Sequence, residues 1–291
     1  RADLFISSFL QTSFQYNRLI RKGGLIVFDS HIHLEQGPYT LEWVDRFVQQ
    51  AVAMGLDEIN LLEHTHRFLD FHRMYQPVVE KDPSMQKWLR SKVDQQVHLD
   101  DYKRLVTLAR EQSYPIRVHF GLEICYFPEQ ESFIQQMTQD GFFDFLVGSI
   151  HHIDHFAFDL NPQDWQHKDV DALYTRYYDL MEQLISYGKF DYLAHPDSIK
   201  CFGYHPSFDL TPRYTRIANL LVEHGIAAEQ SGGLHLNYHY PTLGMDPKML
   251  EIFQQAGVRL VTASDAHCPE NVGANIRELE ESLGHPPAQI R

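Results

Sequence analysis

The strongest constraint on the fold of this chain is a pattern that recurs along it. An amphipathic stretch ends at a glycine, and a short apolar stretch follows and ends on polar residues. The first case is a helix predicted over 40–54, where apolar residues recur at helical spacing before Gly55. Helices that alternate with short apolar strands predict an α/β fold with a parallel sheet. The same pattern returns at four later glycines: Gly141, Gly188, Gly225 and Gly257.

Seven segments fit the strand half of the pattern: 25–30, 57–63, 115–123, 143–149, 190–194, 226–230 and 258–264. This number of strand–helix units favours closure of the sheet into a barrel. No stretch rich in proline, glycine or serine divides the chain. We therefore predict one barrel domain over 25–291, preceded by a lead-in segment 1–24 of unassigned role. The polar stretch 66–98 is predicted to form a loop-and-helix insertion over one barrel mouth.

The predicted strands end on residues that can bind metal, and five of the seven ends carry a histidine. The C-terminal ends of parallel barrel strands meet at one mouth, so residues distant in sequence become neighbours there. In the pairs His31/His33 and Asp265/His267, the two-residue spacing puts both side chains on one face of an extended strand. The sequence therefore predicts a cluster of imidazoles and carboxylates at that mouth.

Imidazole and carboxylate ligands suit borderline cations such as Zn, Mn and Fe(II). The chain has 18 histidines, and the strand ends hold more ligands than one tetrahedral ion needs, so we predict two or three metal ions. A single histidine at a strand end is usually a polar cap, and only the joint pattern carries this prediction. His152 and His155 are ambiguous. Six other histidines are predicted to lie on helices or on the surface: His66, His72, His98, His167, His224 and His285.

The ordered motifs HIH, EH, GLE, GSIH, AHPD and SDAH resemble those of the PHP (polymerase and histidinol phosphatase) superfamily over residues 25–275. The segments LAHPDSIKCFG and SDAHCPENVG resemble the monofunctional histidinol-phosphate phosphatases of histidine biosynthesis. The resemblance implies a distorted (β/α)7 barrel with a trinuclear metal site at the C-terminal mouth of the strands. It also implies a metal-dependent phosphatase that hydrolyses L-histidinol phosphate to L-histidinol and phosphate.

The family pattern implies nine metal ligands in this chain. Glu123 would bridge two metals, and Glu35 stands where the family often has a histidine. The first metal would be held by His31, His33, Glu123 and Asp265, the second by Glu123, His151 and His195, and the third by Glu35, His64 and His267.

The mechanism expected from this pattern is in-line attack on phosphorus by a water that bridges two metals and loses its proton near neutral pH. Asp265 is expected to be catalytic as well as a ligand, and His235 or Asp197 would protonate the leaving group. Related phosphatases carry an arginine after the sixth strand, where this chain has His235. The expected substrate-binding residues are Arg176, with Arg67 and Lys200 as alternatives, and Glu229.

Charge and composition restrict the class of partner. The net charge of −14 disfavours nucleic acid, and no apolar run is long enough to span a membrane. Three cysteines without a CxxC pair indicate a reducing, cytoplasmic setting. We expect a small phosphorylated substrate and a monomer or small homo-oligomer.

Three alternative functions stay open at this stage. The barrel could cleave another small phosphate ester or a nucleotide. It could be an amidohydrolase-like hydrolase of C–N bonds, although no lysine stands at the end of the fourth strand. It could also be a non-catalytic metal-binding barrel.

Overall fold

The computed structural model describes residues 26–93 and 97–284, so the predicted lead-in segment 1–24 lies outside the described residues. The fold is α/β, a distorted (β/α)7 barrel. Its wall is made of seven parallel strands: β1 (Phe28–His33), β2 (Glu58–His64), β3 (Arg117–Cys125), β4 (Phe145–Ser149), β7 (Tyr192–Leu193), β8 (Ala227–Ser231) and β9 (Leu260–Ala263). The antiparallel pair β5 (His152–Ile153) and β6 (Phe156–Ala157) lies apart from the wall.

Helices connect the strands and cover the outside of the wall. They are α1 (Leu41–Ala53), α2 (His72–Lys81), α3 (Pro83–Val93), α4 (Leu99–Arg110), α5 (Glu131–Thr138), α6 (Val170–Tyr187), α7 (Thr211–His224), α8 (Gly233–Tyr238), α9 (Pro247–Ala256) and α10 (Ile276–Ser282). Within the described ranges, no helix is long and apolar enough to cross a membrane.

The barrel closes between its first and last strands. The wall order is β1-β2-β3-β4-β7-β8-β9, and every neighbouring pair is parallel. Across the remaining gap, the amide of Asp265 donates to the carbonyl of His31 at 3.0 Å, and the amide of His33 donates to Ala266 at 2.7 Å. The first predicted metal-ligand motif, His31 and His33, therefore lies inside β1, which ends at His33 and not at residue 30 as predicted.

The predicted glycine punctuation is confirmed in the structure. Helices α6, α7 and α9 end at Gly188, Gly225 and Gly257, whose φ angles of 66°, 68° and 77° place them in the left-handed region. Glycine adopts this conformation without steric cost and so ends a helix well. Helix α1 is capped at its N-terminus by Thr40, whose side chain accepts a hydrogen bond from the amide of Trp43.

Two apolar clusters hold the barrel. A small cluster fills its interior, and a larger one packs between the wall and the helices. The tyrosines Tyr174, Tyr177 and Tyr178 belong to the larger cluster, as core packing predicts. Full burial of one large apolar side chain contributes about 1.5–3 kcal/mol. The interior cluster is formed by Leu62, Phe145, Val147, Tyr192, Ala194 and Ala227.

The predicted insertion after the second strand is helical. Two single-turn 3-10 segments, Thr65–Arg67 and Leu69–Phe71, lead into α2 and α3. Tyr75 of α2 and Trp88 of α3 reach the C-terminal mouth and line a cavity there. The insertion therefore roofs part of the mouth to which the strand ends point.

Candidate metal centre

The centre of the mouth is the carboxylate of Glu123, which is 1% exposed and is surrounded by five histidines. Its Oε2 lies 3.3 Å from Nε2 of both His31 and His33, and 3.0 Å from Nε2 of His64. Its Oε1 lies 2.8 Å from Nε2 of His151 and 3.4 Å from Nε2 of His195. Two imidazole sets therefore share one carboxylate, one set at each oxygen.

Hydrogen bonds behind three of the histidine rings at this mouth, His31, His151 and His267, set which ring nitrogen faces inward. His31 donates from Nδ1 to Glu229 at 2.8 Å, and His151 donates from Nδ1 to Asp159 at 2.7 Å. His267 donates from Nδ1 to the carbonyl of Asp265 at 2.9 Å. With Nδ1 as the donor, the neutral form of each ring has its lone pair on Nε2, which is how proteins orient metal-binding histidines.

The inward-facing donor atoms do not satisfy one another. Nε2 of His31 lies only 2.8 Å from Nε2 of His33, and both rings are fully buried. Oε2 of Glu123, Nδ1 of His195 and Nδ1 of His64 are buried without a hydrogen-bond partner among the described residues. Buried polar atoms are normally paired, so these donors fit a shared cation better than they fit each other.

Glu35 lies at a second group of donors. Its Oε2 is 3.3 Å from Nδ1 of His64, and its Oε1 is 3.6 Å from Nε2 of His267. His66 joins this group, with donor atoms of Glu35, His64 and His66 within 4.8 Å of one another. The sequence predicts that His66 lies on a helix or on the surface; it lies in the 3-10 turn Thr65–Arg67, and it is not on the surface, because the insertion buries its ring against Trp88 at a centroid distance of 4.9 Å.

The electrostatics of the cluster keep its carboxylates ionised. Burial raises the pKa of Glu123 and of Asp265, but the surrounding imidazoles outweigh burial and hold both pKa values well below the usual range. Burial and the neighbouring His33 lower the pKa of His64 to about 4, so this ring is neutral near pH 7. Anionic carboxylates and a neutral imidazole are the protonation states that bind metal.

Asp265 and His195 are held in unusual backbone conformations. Their φ angles are 57° and 26°, in a region that residues with side chains rarely adopt. Asn237 of α8 donates to Oδ2 of Asp265 at 3.2 Å. Gly233 leaves room for the same carboxylate, because a Cβ on Gly233 would lie 2.2 Å from Oδ2 of Asp265. The start of α8 therefore positions Asp265.

A cavity of about 380 Å³ opens above this cluster. Six of the nine predicted ligands line it, and no lysine or arginine lines it among the residues the structure describes. Its lining is formed by Glu35, Gln36, His64, His66, Tyr75, Trp88, Cys125, His151, His152, Asp159, Leu160, His195, Asn237, Tyr238, Asp265 and His267.

The predicted basic groups lie away from this cavity. Arg176 pairs through Nε with Asp154 at 2.9 Å on the surface. Arg67 is 7% exposed, and its Nε lies 3.7 Å from the buried Glu63. Neither guanidinium is among the residues that line the cavity, and the substrate contacts predicted for both arginines stay predictions.

Asp197 and Lys200 form a buried ion pair with each other. Lys200 also donates to the carbonyl of Gly244 at 3.3 Å, and Asp197 accepts from the amide of Asp246 at 2.6 Å. Both side chains therefore hold the loop before α9. Neither side chain is among the residues that line the cavity, so their predicted roles as general acid and substrate contact stay predictions.

Two further residues with predicted roles, Glu229 and His235, also lie outside the cavity lining. Glu229 is fully buried behind His31, and its second oxygen accepts from the amide of His195 at 3.1 Å, so it orients ligands and does not reach the cavity. His235 is exposed and donates from Nδ1 to the carbonyl of Tyr240 at 2.9 Å. It is not among the residues that line the cavity.

Sequence reasoning missed four residues that shape the site: His66, His152, Asp159 and Asn237. Asp159 and Asn237 hold the ligands His151 and Asp265, and only the three-dimensional fold brings them together. A signal for His66 was present in the run Glu63-His64-Thr-His66, where two histidines stand two residues apart at a strand end.

Comparison with known proteins gives a consistent family. Residues 29–232 match the PHP domain family. A probable histidinol-phosphatase of Deinococcus radiodurans is 26% identical over 270 residues, which cover 88% of this chain and 92% of that protein. A probable histidinol-phosphatase of Schizosaccharomyces pombe is 25% identical over 250 residues, covering 78% and 76%.

Two solved structures share the fold. A histidinol phosphate phosphatase of Lactococcus lactis, in complex with zinc, L-histidinol and phosphate, aligns with a TM-score of 0.58 at 18% identity, covering 89% of this chain and 94% of that one. A putative histidinol phosphatase of Listeria monocytogenes aligns with a TM-score of 0.61 at 15% identity, covering 85% and 97%. The TM-scores of these two alignments support a shared barrel fold.

Proposed function

The chain belongs to the PHP domain family, and from that premise we propose that it is a metal-dependent phosphomonoesterase that hydrolyses L-histidinol phosphate. Both curated relatives described above carry the name probable histidinol-phosphatase. A shared name at about a quarter identity supports the reaction class more firmly than the substrate, so the substrate assignment also has to come from the cavity.

The observation that carries the proposal is the Glu123 carboxylate with imidazoles at both oxygens. Neither oxygen can be neutralised by a lysine or an arginine, since none of the described residues of these types lines the cavity above it. A phosphate monoester carries about two negative charges near neutral pH. Divalent cations held by this cluster would supply the positive charge that its phosphate needs.

The ligand sets follow from the contacts at the mouth. His31, His33 and Asp265 would hold one metal with Glu123, and His151 and His195 would hold a second with its other oxygen. Glu35, His64 and His267 would hold a third. When bound, such cations bind phosphate oxygens, lower the pKa of water and stabilise the charge that develops at phosphorus.

The protein contributes orientation and exclusion of water. Glu229 and Asp159 fix the tautomers of His31 and His151, so that both present Nε2. Asn237 and the missing side chain of Gly233 hold the Asp265 carboxylate at the cavity wall. The α2–α3 insertion roofs the cavity and limits the access of water to the phosphate.

The direct test measures phosphate release from L-histidinol phosphate and from a panel of small phosphomonoesters and nucleotides. The protein is assayed with Mn or Zn and again after chelation. We expect preference for histidinol phosphate, loss of turnover on chelation, and loss of turnover in His195→Ala. His205→Ala is the matched control, because His205 is an exposed histidine outside the cavity.

The outcomes separate the parts of the proposal. Metal-dependent release from other esters but not from histidinol phosphate would keep the reaction and replace the substrate. A second candidate, another small phosphate ester, is favoured by the lack of a basic side chain among the described cavity residues. Absence of release from every ester by metal-loaded protein would overturn the phosphatase function and return the non-catalytic and C–N hydrolase alternatives.

A further inference from the structure

One side of the cavity is an aromatic wall formed by His66, Tyr75, Trp88 and His152. The ring centroids of Tyr75, Trp88 and His152 lie 6.0 to 6.1 Å from one another. The ring of His66 packs on Trp88 at 4.9 Å. Two members come from the insertion helices α2 and α3, and His152 comes from the short strand β5.

His152 has a nitrogen that the fold leaves without a partner. The side chain is 3% exposed and lines the cavity, and its Nδ1 lies 3.5 Å from Sγ of Cys125. Its Nε2 is buried and has no hydrogen-bond partner among the described residues. Buried polar atoms are rarely left in this state, so a partner supplied by a bound molecule completes the site.

The aromatic faces of the wall select the kind of leaving group. The ring faces of tryptophan and tyrosine carry negative potential, so they attract a planar or cationic group. An aliphatic alcohol offers neither a ring to pack on Trp88 nor a nitrogen to bond with His152.

We propose that the aromatic wall is the subsite for the leaving group, and that His152 determines its specificity for a nitrogen-containing planar ring. The phosphate faces the metal cluster, and the ring packs on Trp88 and Tyr75 with one ring nitrogen hydrogen-bonded to Nε2 of His152. Cys125 lies against the other nitrogen of His152 and positions that ring. This inference rests on the phosphomonoesterase function proposed above and adds the residues that select its substrate.

The test measures binding of the product alcohol L-histidinol to the metal-loaded full chain by calorimetry, which needs no turnover. His152→Leu removes the nitrogen, and we expect binding about 10-fold weaker, which is the effect of losing one hydrogen bond. His152→Gln places an amide nitrogen near the position of Nε2 and should recover most of the affinity. Phe208→Ala, an exposed aromatic residue outside the cavity, should bind as wild type does.

Kinetics supply a second readout on the same variants. Against histidinol phosphate, His152→Leu and Trp88→Ala should raise KM about 10-fold, a larger change than against glycerol phosphate, which has no ring to bind the aromatic wall. Equal losses against both esters, or unchanged histidinol binding in folded His152→Leu, would overturn the subsite. A wild type that binds histidinol through His152 but hydrolyses no ester would instead contradict the proposed function and leave the subsite standing.

Discussion

The two mouths of the barrel both bury a glutamate, and the two glutamates have opposite surroundings. At the N-terminal mouth, Glu58 accepts from Nε of Arg117 at 2.8 Å and from Nε2 of His119 at 2.9 Å. At the C-terminal mouth, Glu123 is ringed by histidines, and its Oε2 has no hydrogen-bond partner among the described residues. The carboxylate of Glu58 is paired with side chains of the protein. The carboxylate of Glu123 has the surroundings of a group that binds a ligand such as a metal ion.

Strand β2 connects the paired glutamate of one mouth with the histidine cluster of the other mouth. It begins at Glu58, inside the paired network, and it ends at His64, inside the metal cluster. Paired charges therefore lie at the N-terminal mouth, where they stabilise the barrel. Unpaired metal-binding atoms lie at the C-terminal mouth, where a ligand can bind. Active sites commonly sit at the C-terminal mouth of such barrels, and conserved features of the other mouth serve stability.

The largest expected effect comes from Glu123→Gln, which keeps the size of the side chain and removes the charge that bridges the two imidazole sets. Turnover of the best phosphate ester should fall about 100- to 1,000-fold, because the charge-stabilising centre is lost. Phosphate release under saturating metal measures this effect. The same substitution at Glu58 should leave turnover within about twofold of wild type, and a comparable loss there would erase the contrast between the mouths.

Metal removal should come next. Ions bound at 100 times their dissociation constant stabilise the fold by about 2.7 kcal/mol, so chelation should lower the Tm by about 5 °C or more. Thermal unfolding with and without chelator measures the shift. Glu58→Gln should show the same shift as wild type and Glu123→Gln a smaller one. Identical shifts in both variants would mean that the metal binds elsewhere.

Gly233→Ala sharpens the account of Asp265. The added Cβ would lie 2.2 Å from Oδ2 of Asp265, so the carboxylate has to move, and turnover should fall about 10- to 100-fold. Gly232→Ala is the matched control, since the nearest atom to its Cβ would be an ordinary 3.5 Å away. Steady-state assays on both variants check this pair. Equal activity of the two would show that Asp265 is not positioned through Gly233.

Glu58→Gln should lower stability without touching the chemistry. Loss of a buried charge pair costs 3–5 kcal/mol when both partners are buried, but Arg117 is 46% exposed and can be solvated. We therefore expect a loss of about 1–3 kcal/mol in the free energy of unfolding. Urea unfolding of the chelated protein isolates this effect, and an unchanged midpoint would show that the paired mouth contributes little.

The smallest effect should come from Arg176→Ala. Its guanidinium pairs with Asp154 at the surface, and exposed pairs contribute about 0–1 kcal/mol. The KM for the best ester should stay within about twofold of wild type in the initial-rate assay. A KM increase of 10-fold or more would restore the substrate role that the sequence suggested for this arginine.

The strands and most of the candidate cluster could be predicted because their signals are local. The spacing within His31/His33 and Asp265/His267 decides which face the side chains share, and glycines mark where helices end. The positions of Arg176, Lys200 and Asp197 could not be predicted, because the sequence does not show which group a charged side chain pairs with. Arg176 pairs with Asp154, which lies 22 residues earlier in the sequence, and only the folded chain shows that contact.

The insertion explains the remaining misses. The sequence predicts His66 to be a surface or helix residue and leaves His152 ambiguous, and both are buried beside residues of α2 and α3, which fold over the mouth. Their neighbours Tyr75 of α2 and Trp88 of α3 are aromatic residues on helices, which are equally typical of core packing. Packing between distant segments, which no local pattern encodes, turns these residues into a cavity wall.

The metal content of the protein tests the central claim most directly. Protein stripped with chelator, reloaded with Mn or Zn and desalted is analysed by mass spectrometry for metal equivalents per chain. We predict roughly two to three equivalents in wild type and in Glu58→Gln, and a loss of at least one in Glu123→Gln. Less than one equivalent in wild type, or equal retention in Glu58→Gln and Glu123→Gln, would contradict a metal centre built around Glu123.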